Sequence, residues 1–178
     1  EILKHGIIND KKFFNWLVKN SKKILDLNKK ALSQAIYKSV LIKRKYVLKD
    51  EREKLRNNYS RAILNFGHTF GHALEAYYKY NKKLNHGEAI CIGMIIAARL
   101  SYKFNYLPLD EFNIIKNHFK LNKLPMVDSK MYNEKIFKII EKDKKNIHGK
   151  INFVLLKNIG SAFLGNNLSL NKIKKILN

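Results

Sequence analysis

The spacing of apolar residues along the chain predicts a mainly helical protein. In most segments apolar side chains recur at intervals of three and four residues, which places them on one face of an α-helix. Short polar stretches with asparagine, aspartate or proline separate these segments. The predicted helices span Glu1–Ile8, Lys11–Leu27, Asn28–Lys49, Arg61–Tyr80, Gly87–Asn105, Leu109–Lys120, Tyr132–Asp143 and Asn171–Leu177.

The period changes to that of a β-strand in the last quarter of the chain. Lys150–Leu156 is rich in β-branched and large apolar residues, and Ala162–Leu164 follows after a short turn that contains Gly160. This pattern predicts a small β-hairpin near residues 150–164. A length of 178 residues fits one domain. We therefore predict a single, mainly α domain with one hairpin.

Two of the predicted helices carry small residues at helical spacing. Gly67 and Gly71 repeat at four residues in one helix, and Ala89, Gly93 and Ala97 repeat at four in the next. Glycine in a helix interior costs about 1 kcal/mol relative to alanine, so its recurrence indicates close approach of another backbone or a ligand. Because a short turn joins these two helices, we expect them to pack closely and antiparallel.

Three histidines accompany these small residues. His68 and His72 are four apart and share a helix face, and His86 begins the next helix. Antiparallel packing would bring His86 close to His68. Neutral imidazole is a common ligand of zinc-like ions, so a metal site is one interpretation. The other is that these are structural histidines of an amphipathic helix. The stretch lacks the glutamate of a His-Glu-x-x-His metalloprotease motif.

The chain is strongly basic, with 36 Lys+Arg against 14 Asp+Glu and a net charge of +22. Such a charge suggests a polyanionic partner such as nucleic acid. The lysines are spread over every segment, however, and arginines are few. This distribution indicates a general lysine bias, although a small anionic substrate would profit from the same positive field. A lysine-rich nucleic-acid-binding module is the alternative.

Other features of the composition limit the class of protein. No apolar run reaches the ~18 residues that a membrane span requires. A single cysteine, Cys91, excludes an internal disulfide framework and fits a reducing compartment. The chain begins at Glu1, without a secretory leader or an initiator methionine. We expect a cytoplasmic protein, with an organelle as the alternative, and a piece of a longer chain.

Several motifs resemble the C-terminal domain of the 3-dehydroquinate synthase family, the sugar-phosphate cyclases of the shikimate pathway. The central motif, Asn-Phe-Gly-His-Thr-Phe-Gly-His-Ala-Leu-Glu from Asn65, is followed by His-Gly-Glu-Ala-Ile from His86. The flanking motifs are weaker: Glu1-x-x-Lys4-x-Gly, Lys43 before Asp50-Glu51-x-Glu53, and Asp143-Lys144-Lys145. The resemblance extends over essentially the whole chain and implies the multi-helical fold of this domain.

The resemblance also implies the roles of individual residues. It places a metal ion, zinc or cobalt, on Glu1, His68 and His86. It places His72 in the substrate site, as a hydrogen-bonding or proton-relaying group. The further residues that it implies as contacts to an anionic sugar phosphate are Lys4, Lys43, Arg61, Asn65 and Lys144. Arg61 is preferred over Arg56 because Arg61 is in register with Asn65 and His68.

The implied reaction converts 3-deoxy-D-arabino-heptulosonate 7-phosphate to 3-dehydroquinate and phosphate, a step toward the aromatic amino acids. The enzyme is an NAD- and metal-dependent lyase in which NAD transiently oxidises a hydroxyl group. Another sugar-phosphate cyclase, of the inosose or valiolone type, is the alternative within the family.

The resemblance divides the work between two domains. It places an NAD-binding domain before Glu1, and residues 1–178 contain no Gly-x-Gly-x-x-Gly motif. We therefore expect residues 1–178 to be the metal- and substrate-binding domain, without NAD binding or turnover on its own. The full-length enzyme is expected to be a homodimer, with no nucleic-acid or membrane partner.

Overall fold

A computed structural model describes residues 1–80, 84–127, 133–145, 153–165 and 168–177, with the backbone alone for 143–145. Its α-helices are α1 (Ile2–Asn9), α2 (Lys11–Leu25), α3 (Lys29–Lys49), α4 (His68–Tyr77), α5 (His86–Lys103), α6 (Leu109–Leu121), α7 (Glu134–Lys145) and α8 (Leu170–Leu177). A 3-10 helix spans Arg61–Asn65, and the strands are β1 (Phe153–Asn158) and β2 (Ser161–Gly165). The predicted fold class, mainly α with a small hairpin, is confirmed.

The two strands pair antiparallel, as the change of period predicts. Phe153 lies opposite Gly165 and Leu155 opposite Phe163, with an irregularity between Leu156 and Asn158. β1 is buried on both faces at its start, because Phe153 and Leu155 belong to one hydrophobic cluster and Val154 and Leu156 to another. The predicted strand start at Lys150 and helix start at Tyr132 lie outside the described residues.

The prediction of one continuous helix over Arg61–Tyr80 is wrong. The 3-10 helix ends at Asn65, and Gly67 follows in the left-handed region with a φ of 82°. That backbone conformation ends the first helix and starts α4 at His68, and glycine adopts it without steric cost. The apolar spacing continues across the break because Ile63 and Phe66 are buried as well, so periodicity alone did not reveal it.

α4 and α5 pack together along their small residues. A Cβ atom on Gly93 would lie 2.0 Å from the carbonyl oxygen of Gly67, and one on Gly71 would lie 2.6 Å from Cδ1 of Ile90. Gly67 therefore meets Gly93 while the later Gly71 meets the earlier Ile90, so the two helices run antiparallel. The predicted close packing is confirmed.

α5 is the central helix of the described fold. Ile90 and Met94 belong to a hydrophobic cluster shared with α1, α2 and α6, whereas Ile92 and Ile96 belong to a second cluster shared with α4, α7 and β1. A helix that is apolar on all sides is buried on all sides. α5 thus connects the two halves of the core. No helix in the described part of the chain is both long and apolar enough to cross a membrane.

α1 is held against the rest of the fold at several points. Gly160 donates a backbone hydrogen bond of 2.7 Å to the carbonyl oxygen of Ile7. Gly6 allows close contact with α2, since a Cβ at this position would lie 2.8 Å from Cα of Phe14. These contacts determine where the first residues of the chain lie.

Replacing Gly93 with alanine tests the contact between α4 and α5. The added methyl group would overlap the Gly67 carbonyl, so the Gly93→Ala variant should lose about 1–3 kcal/mol in the free energy of unfolding, measured by urea denaturation. Gly87→Ala is the matched control, because the added Cβ would meet no described atom within 4 Å beyond its own helix turn and chain neighbours. The control should be unchanged or slightly more stable, by at most about 1 kcal/mol. Equal stability of Gly93→Ala and wild type would contradict this packing.

Candidate metal and anion site

Three helix starts bring Glu1, His68 and His86 together. Glu1 precedes α1, His68 is the first residue of α4, and His86 is the first residue of α5. One potential ligand atom from each residue lies within 4.8 Å of the other two. Zinc binds imidazole nitrogen and carboxylate oxygen at about 2.0–2.2 Å, so small side-chain movements would allow all three to coordinate one ion. The donor set fits zinc or cobalt.

Hydrogen bonds orient both imidazole rings. Nδ1 of His68 lies 3.2 Å from the carbonyl oxygen of Phe66, and Nδ1 of His86 lies 3.0 Å from Oε1 of Glu75. Carbonyl and carboxylate oxygens accept hydrogen bonds, so this network assigns the proton to Nδ1 in each ring. The lone pair on Nε2 is then free in both histidines. Nε2 of His68 lies 3.6 Å from Oε1 of Glu1.

The environment of His68 keeps its imidazole neutral. Burial lowers the pKa of His68 to about 4, and the positive charge of Lys4 acts in the same direction. A neutral imidazole is the form that binds a metal ion. His68 therefore needs to release no proton to coordinate a metal near pH 7.

Lys4 forms an ion pair with Glu1. Its ammonium group is buried and donates a hydrogen bond of 3.0 Å to Oε2 of Glu1. Burial alone would raise the pKa of Glu1, but the charge and hydrogen bond of Lys4, together with the terminal amine and His68, lower that pKa overall. Burial lowers the pKa of Lys4, and Glu1 opposes this effect. One oxygen of Glu1 is thus occupied by Lys4, and the other faces His68.

A second group of potential ligands shares His86 with the first. His72, Glu75 and His86 also offer ligand atoms within 4.8 Å of one another. The rings of His68 and His72 are close, with 5.1 Å between their centroids. Geometry alone therefore does not separate a metal bound at Glu1, His68 and His86 from one bound at His72, Glu75 and His86.

A polar cavity of about 230 Å³ adjoins the first group. We call it the cationic cavity. Its lining includes four of the residues implied as substrate contacts together with two of the implied metal ligands: Lys4, Lys43, Arg61, Asn65, Glu1 and His68. Glu53 also borders it. The cavity thus combines cationic side chains with the proposed metal ligands.

Among the described residues, two predicted site residues, His72 and His86, do not line the cationic cavity. His72 borders a neighbouring cavity with Thr69, Glu75 and Tyr80 instead. The side chain of Lys144 lies outside the described residues. Of the two arginines considered, Arg61 lines the cationic cavity, whereas the guanidinium of Arg56 donates to the carbonyl oxygens of Glu53 and Leu55.

Comparison with known proteins places this arrangement in a family. Residues 1–146 match the model of the family described as 3-dehydroquinate synthase C-terminal. The chain belongs to the 3-dehydroquinate synthase C-terminal family. A 3-dehydroquinate synthase of Pelagibacter ubique is 48% identical over 165 residues, which are 90% of this chain and 44% of that protein. The enzyme of Thermodesulfovibrio yellowstonii is 42% identical across 100% of this chain and 48% of its own length. The chain therefore spans about half the length of these curated relatives.

Solved structures share the fold. The chain is similar to 2-epi-5-epi-valiolone synthase from Streptomyces hygroscopicus, solved with NAD+ and Zn2+, with a TM-score of 0.85 at 21% identity over 99% of this chain and 48% of that one. It is also similar to a 2-deoxy-scyllo-inosose synthase complexed with carbaglucose-6-phosphate, NAD+ and Co2+, with a TM-score of 0.62 at 25% identity over 83% of this chain and 41% of that one.

Asp50 positions Arg61 in this member of the family, a role that the sequence analysis missed. The buried carboxylate of Asp50 accepts hydrogen bonds from the backbone N–H groups of Lys54, Leu55 and Arg61 at 2.7, 3.1 and 2.9 Å. Burial would raise the pKa of Asp50, but these N–H donors outweigh it and lower that pKa. Asp50 thereby closes the loop between α3 and the 3-10 helix. The sequence feature that could have indicated this role is the position of Asp50 in the Asp-Glu-x-Glu motif.

His5 is a second residue that the sequence analysis missed. Its ring is buried beside the cationic cavity, and Nδ1 lies 2.6 Å from the hydroxyl oxygen of Ser39. Burial lowers the pKa of His5 to about 4, and Lys4 adds to the effect. His5 is therefore neutral near pH 7 and adds no charge to the cavity. A histidine adjacent to a site lysine gave no periodic or motif signal.

The lowered pKa of His5 predicts a pH-dependent stability. The unfolded pKa is about 6.5, so between pH 6.5 and 4 the unfolded state binds more protons and stability falls as pH falls. His5 should contribute a loss of about 3 kcal/mol between pH 7 and 4. The His5→Gln variant should lose less stability over this range than wild type. Urea denaturation of metal-free protein at several pH values measures the difference.

His68 titrates in the same range in both proteins, so the difference between them isolates His5. If the free energy of unfolding falls equally in wild type and His5→Gln from pH 7 to pH 4, the imidazole of His5 is not kept neutral in the folded protein.

Proposed function

We propose that this chain is the metal- and substrate-binding part of a 3-dehydroquinate synthase, which converts 3-deoxy-D-arabino-heptulosonate 7-phosphate to 3-dehydroquinate and phosphate. One observation carries the proposal: Glu1 and His68 belong both to a metal-ligand group and to the lining of the cationic cavity. A sugar phosphate in that cavity would meet metal-ligand and cationic side chains together. Family membership and the names of the relatives support the same reaction.

Glu1, His68 and His86 would hold zinc or cobalt. Two neutral imidazoles and one carboxylate leave coordination positions for substrate oxygens, and a bound metal would polarise those oxygens. The relatives solved with Zn2+ and Co2+ support this choice of metal. Within this chain, Lys4 keeps Glu1 ionised, and the Phe66 carbonyl and Glu75 carboxylate keep Nε2 of each histidine free.

The cationic side chains would bind the anionic ends of the substrate. Lys4, Lys43 and Arg61 provide three positive charges around one cavity, and Asn65 adds a neutral hydrogen-bonding group. Charge-assisted hydrogen bonds to phosphate and carboxylate are about twice as strong as neutral ones. We assign these residues to binding and orientation of the substrate. Lys144 keeps the same assignment on the resemblance alone.

His72 is proposed as a hydrogen-bonding or proton-relaying group. Its ring lies 6.1 Å from that of His86, measured between centroids, and its side chain is exposed. It faces a cavity next to the cationic one, so only substrate groups that extend past His68 would reach it. An imidazole near the reacting atoms can act as a general acid or base.

NAD is proposed to bind to an N-terminal nucleotide-binding domain, and the complete enzyme is proposed to be a cytoplasmic homodimer. The sequence contains no Gly-x-Gly-x-x-Gly motif, and the described strands form one antiparallel hairpin. Dinucleotide-binding domains are built on parallel sheets instead. The two structural relatives solved with NAD+ support the need for this cofactor.

Another sugar-phosphate cyclase is the second candidate, since the fold is shared with valiolone and inosose synthases. The metal ligands would not separate these enzymes, because each reaction needs a similar polarised oxygen. The sequence relatives at 48% and 42% identity favour 3-dehydroquinate synthase. The same relatives weigh against a nucleic-acid-binding module.

Zinc content should distinguish the two ligand groups. Wild type should retain one zinc ion per chain, measured by elemental analysis after desalting. His68→Ala should lose the ion, because one of three ligands is removed. His72→Ala should keep it, and this variant is the matched control because it changes the same residue type one turn along α4.

His86→Ala should lose zinc in either arrangement, so that variant shows only that the region binds metal. Zinc that is retained in His68→Ala but lost in His72→Ala would place the ion on His72, Glu75 and His86 and refute the assignment.

Calorimetric titration of the zinc-loaded chain tests substrate binding. The substrate 3-deoxy-D-arabino-heptulosonate 7-phosphate should bind, and Lys43→Ala should weaken the affinity about 10- to 100-fold because one charge-assisted contact is lost. Lys45→Ala is the matched control, since Lys45 lies two residues away and donates to Asn9 instead. NAD should not bind to residues 1–178.

Micromolar NAD binding would show that the cofactor site is wrongly placed. Equal losses in the Lys43 and Lys45 variants would mean that the substrate responds to overall charge rather than to the cationic cavity. Tighter binding of the sugar phosphates used by valiolone or inosose synthases would favour the second candidate.

A further inference from the structure

Glu75 makes a contact to a proposed metal ligand that neither the motifs nor the comparisons assign. Its Oε1 lies 3.0 Å from Nδ1 of His86. The side chain of Glu75 is 12% exposed, whereas that of His86 is 51% exposed. The half-exposed ring of His86, at the first residue of α5, is therefore held by a carboxylate that is itself largely enclosed.

The packing of α4 against α5 sets this contact. Gly71 of α4 packs against Ile90 of α5. The two helices are antiparallel, so one turn forward along α4 reaches Glu75 while one turn back along α5 reaches His86. The close approach at Gly71 thus places Glu75 opposite His86. The start of α5 is held independently, because Asn85 and Glu88 form a reciprocal capping box.

We propose that Glu75 is a positioning residue that orients His86 for metal binding. A carboxylate at Nδ1 holds the tautomer whose Nε2 lone pair is free, fixes the direction of the ring and increases its basicity. His68 receives a neutral carbonyl oxygen, from Phe66, at the equivalent nitrogen. The two histidines thus differ in their supporting groups, and only His86 has an anionic one. This inference rests on the proposed metal site.

Glu75 also belongs to the alternative ligand group with His72 and His86. In that arrangement its carboxylate would bind the metal directly. A separation of 3.0 Å from Nδ1 is that of a hydrogen bond, which favours the positioning role. The two roles predict different effects of a glutamine replacement, because glutamine retains a hydrogen-bond acceptor of the same length but not a ligating carboxylate.

Zinc affinity, measured by competition with a chelating dye, tests the proposal. Glu75→Ala should bind zinc about 10- to 100-fold more weakly than wild type, the usual effect of removing such a supporting group. Glu75→Gln should recover much of the loss. Glu134→Ala is the control for removing one carboxylate, since Glu134 pairs with Lys174 rather than with a histidine. This control should bind zinc as wild type does.

The absorption spectrum of the cobalt-loaded protein reports the ligand set. It should be the same in wild type and Glu75→Gln if Glu75 is not a ligand. Unchanged zinc affinity in Glu75→Ala would refute the proposal. So would a glutamine variant as weak as the alanine variant with an altered cobalt spectrum, because that result would make Glu75 a ligand.

The tautomer of His86 gives a readout that does not depend on metal. In metal-free wild type, two-bond 1H–15N correlation spectra should show His86 with its proton on Nδ1, and Glu75→Ala should shift the population toward a proton on Nε2. If wild type binds no zinc, the proposed function fails, but this measurement still tests whether the hydrogen bond from Glu75 fixes the tautomer of His86. The same tautomer in wild type and Glu75→Ala would overturn the proposal.

Discussion

The close contact between α4 and α5 positions the proposed metal ligands. The backbones approach so closely that a single methyl group on Gly93 would overlap the carbonyl oxygen of Gly67. In this antiparallel pair the side chains at the start of α4 and the start of α5 reach each other, with 5.9 Å between the ring centroids of His68 and His86. His68 and His86 occupy those starts, so the packing of small residues and the placement of the proposed ligands are one structural feature.

A second constraint is electrostatic. The site concentrates positive side chains around a cavity while keeping the nearby imidazoles neutral, because burial lowers the pKa of both His5 and His68 to about 4. Lys4 is buried and forms an ion pair with Glu1, and this pairing favours the ionised carboxylate. A site of this kind attracts anions through its lysines and arginine and still presents uncharged nitrogen to a metal ion.

The hydrogen-bond network around the site joins residues from distant parts of the chain. Asp50 organises the loop that brings Arg61 to the cationic cavity, and Glu75 supports His86 from the neighbouring helix. Neither Asp50 nor Glu75 lines the cationic cavity. Their contribution is to restrict the orientation of Arg61 and His86.

The helical class, the hairpin, the close helix pair and the residues that carry the resemblance to the family could all be predicted from the sequence. Each of these is local: apolar periodicity, glycine spacing and short motifs lie within one or two neighbouring segments. Tertiary structure alone decided the break at Gly67, since burial of Phe66 continues the apolar spacing across a backbone that has left the helix. It also decided that Asp50, His5 and Glu75 support the site. Their partners lie on other elements or beyond an irregular loop, and the distance between such groups depends on how the helices pack, which no local pattern records.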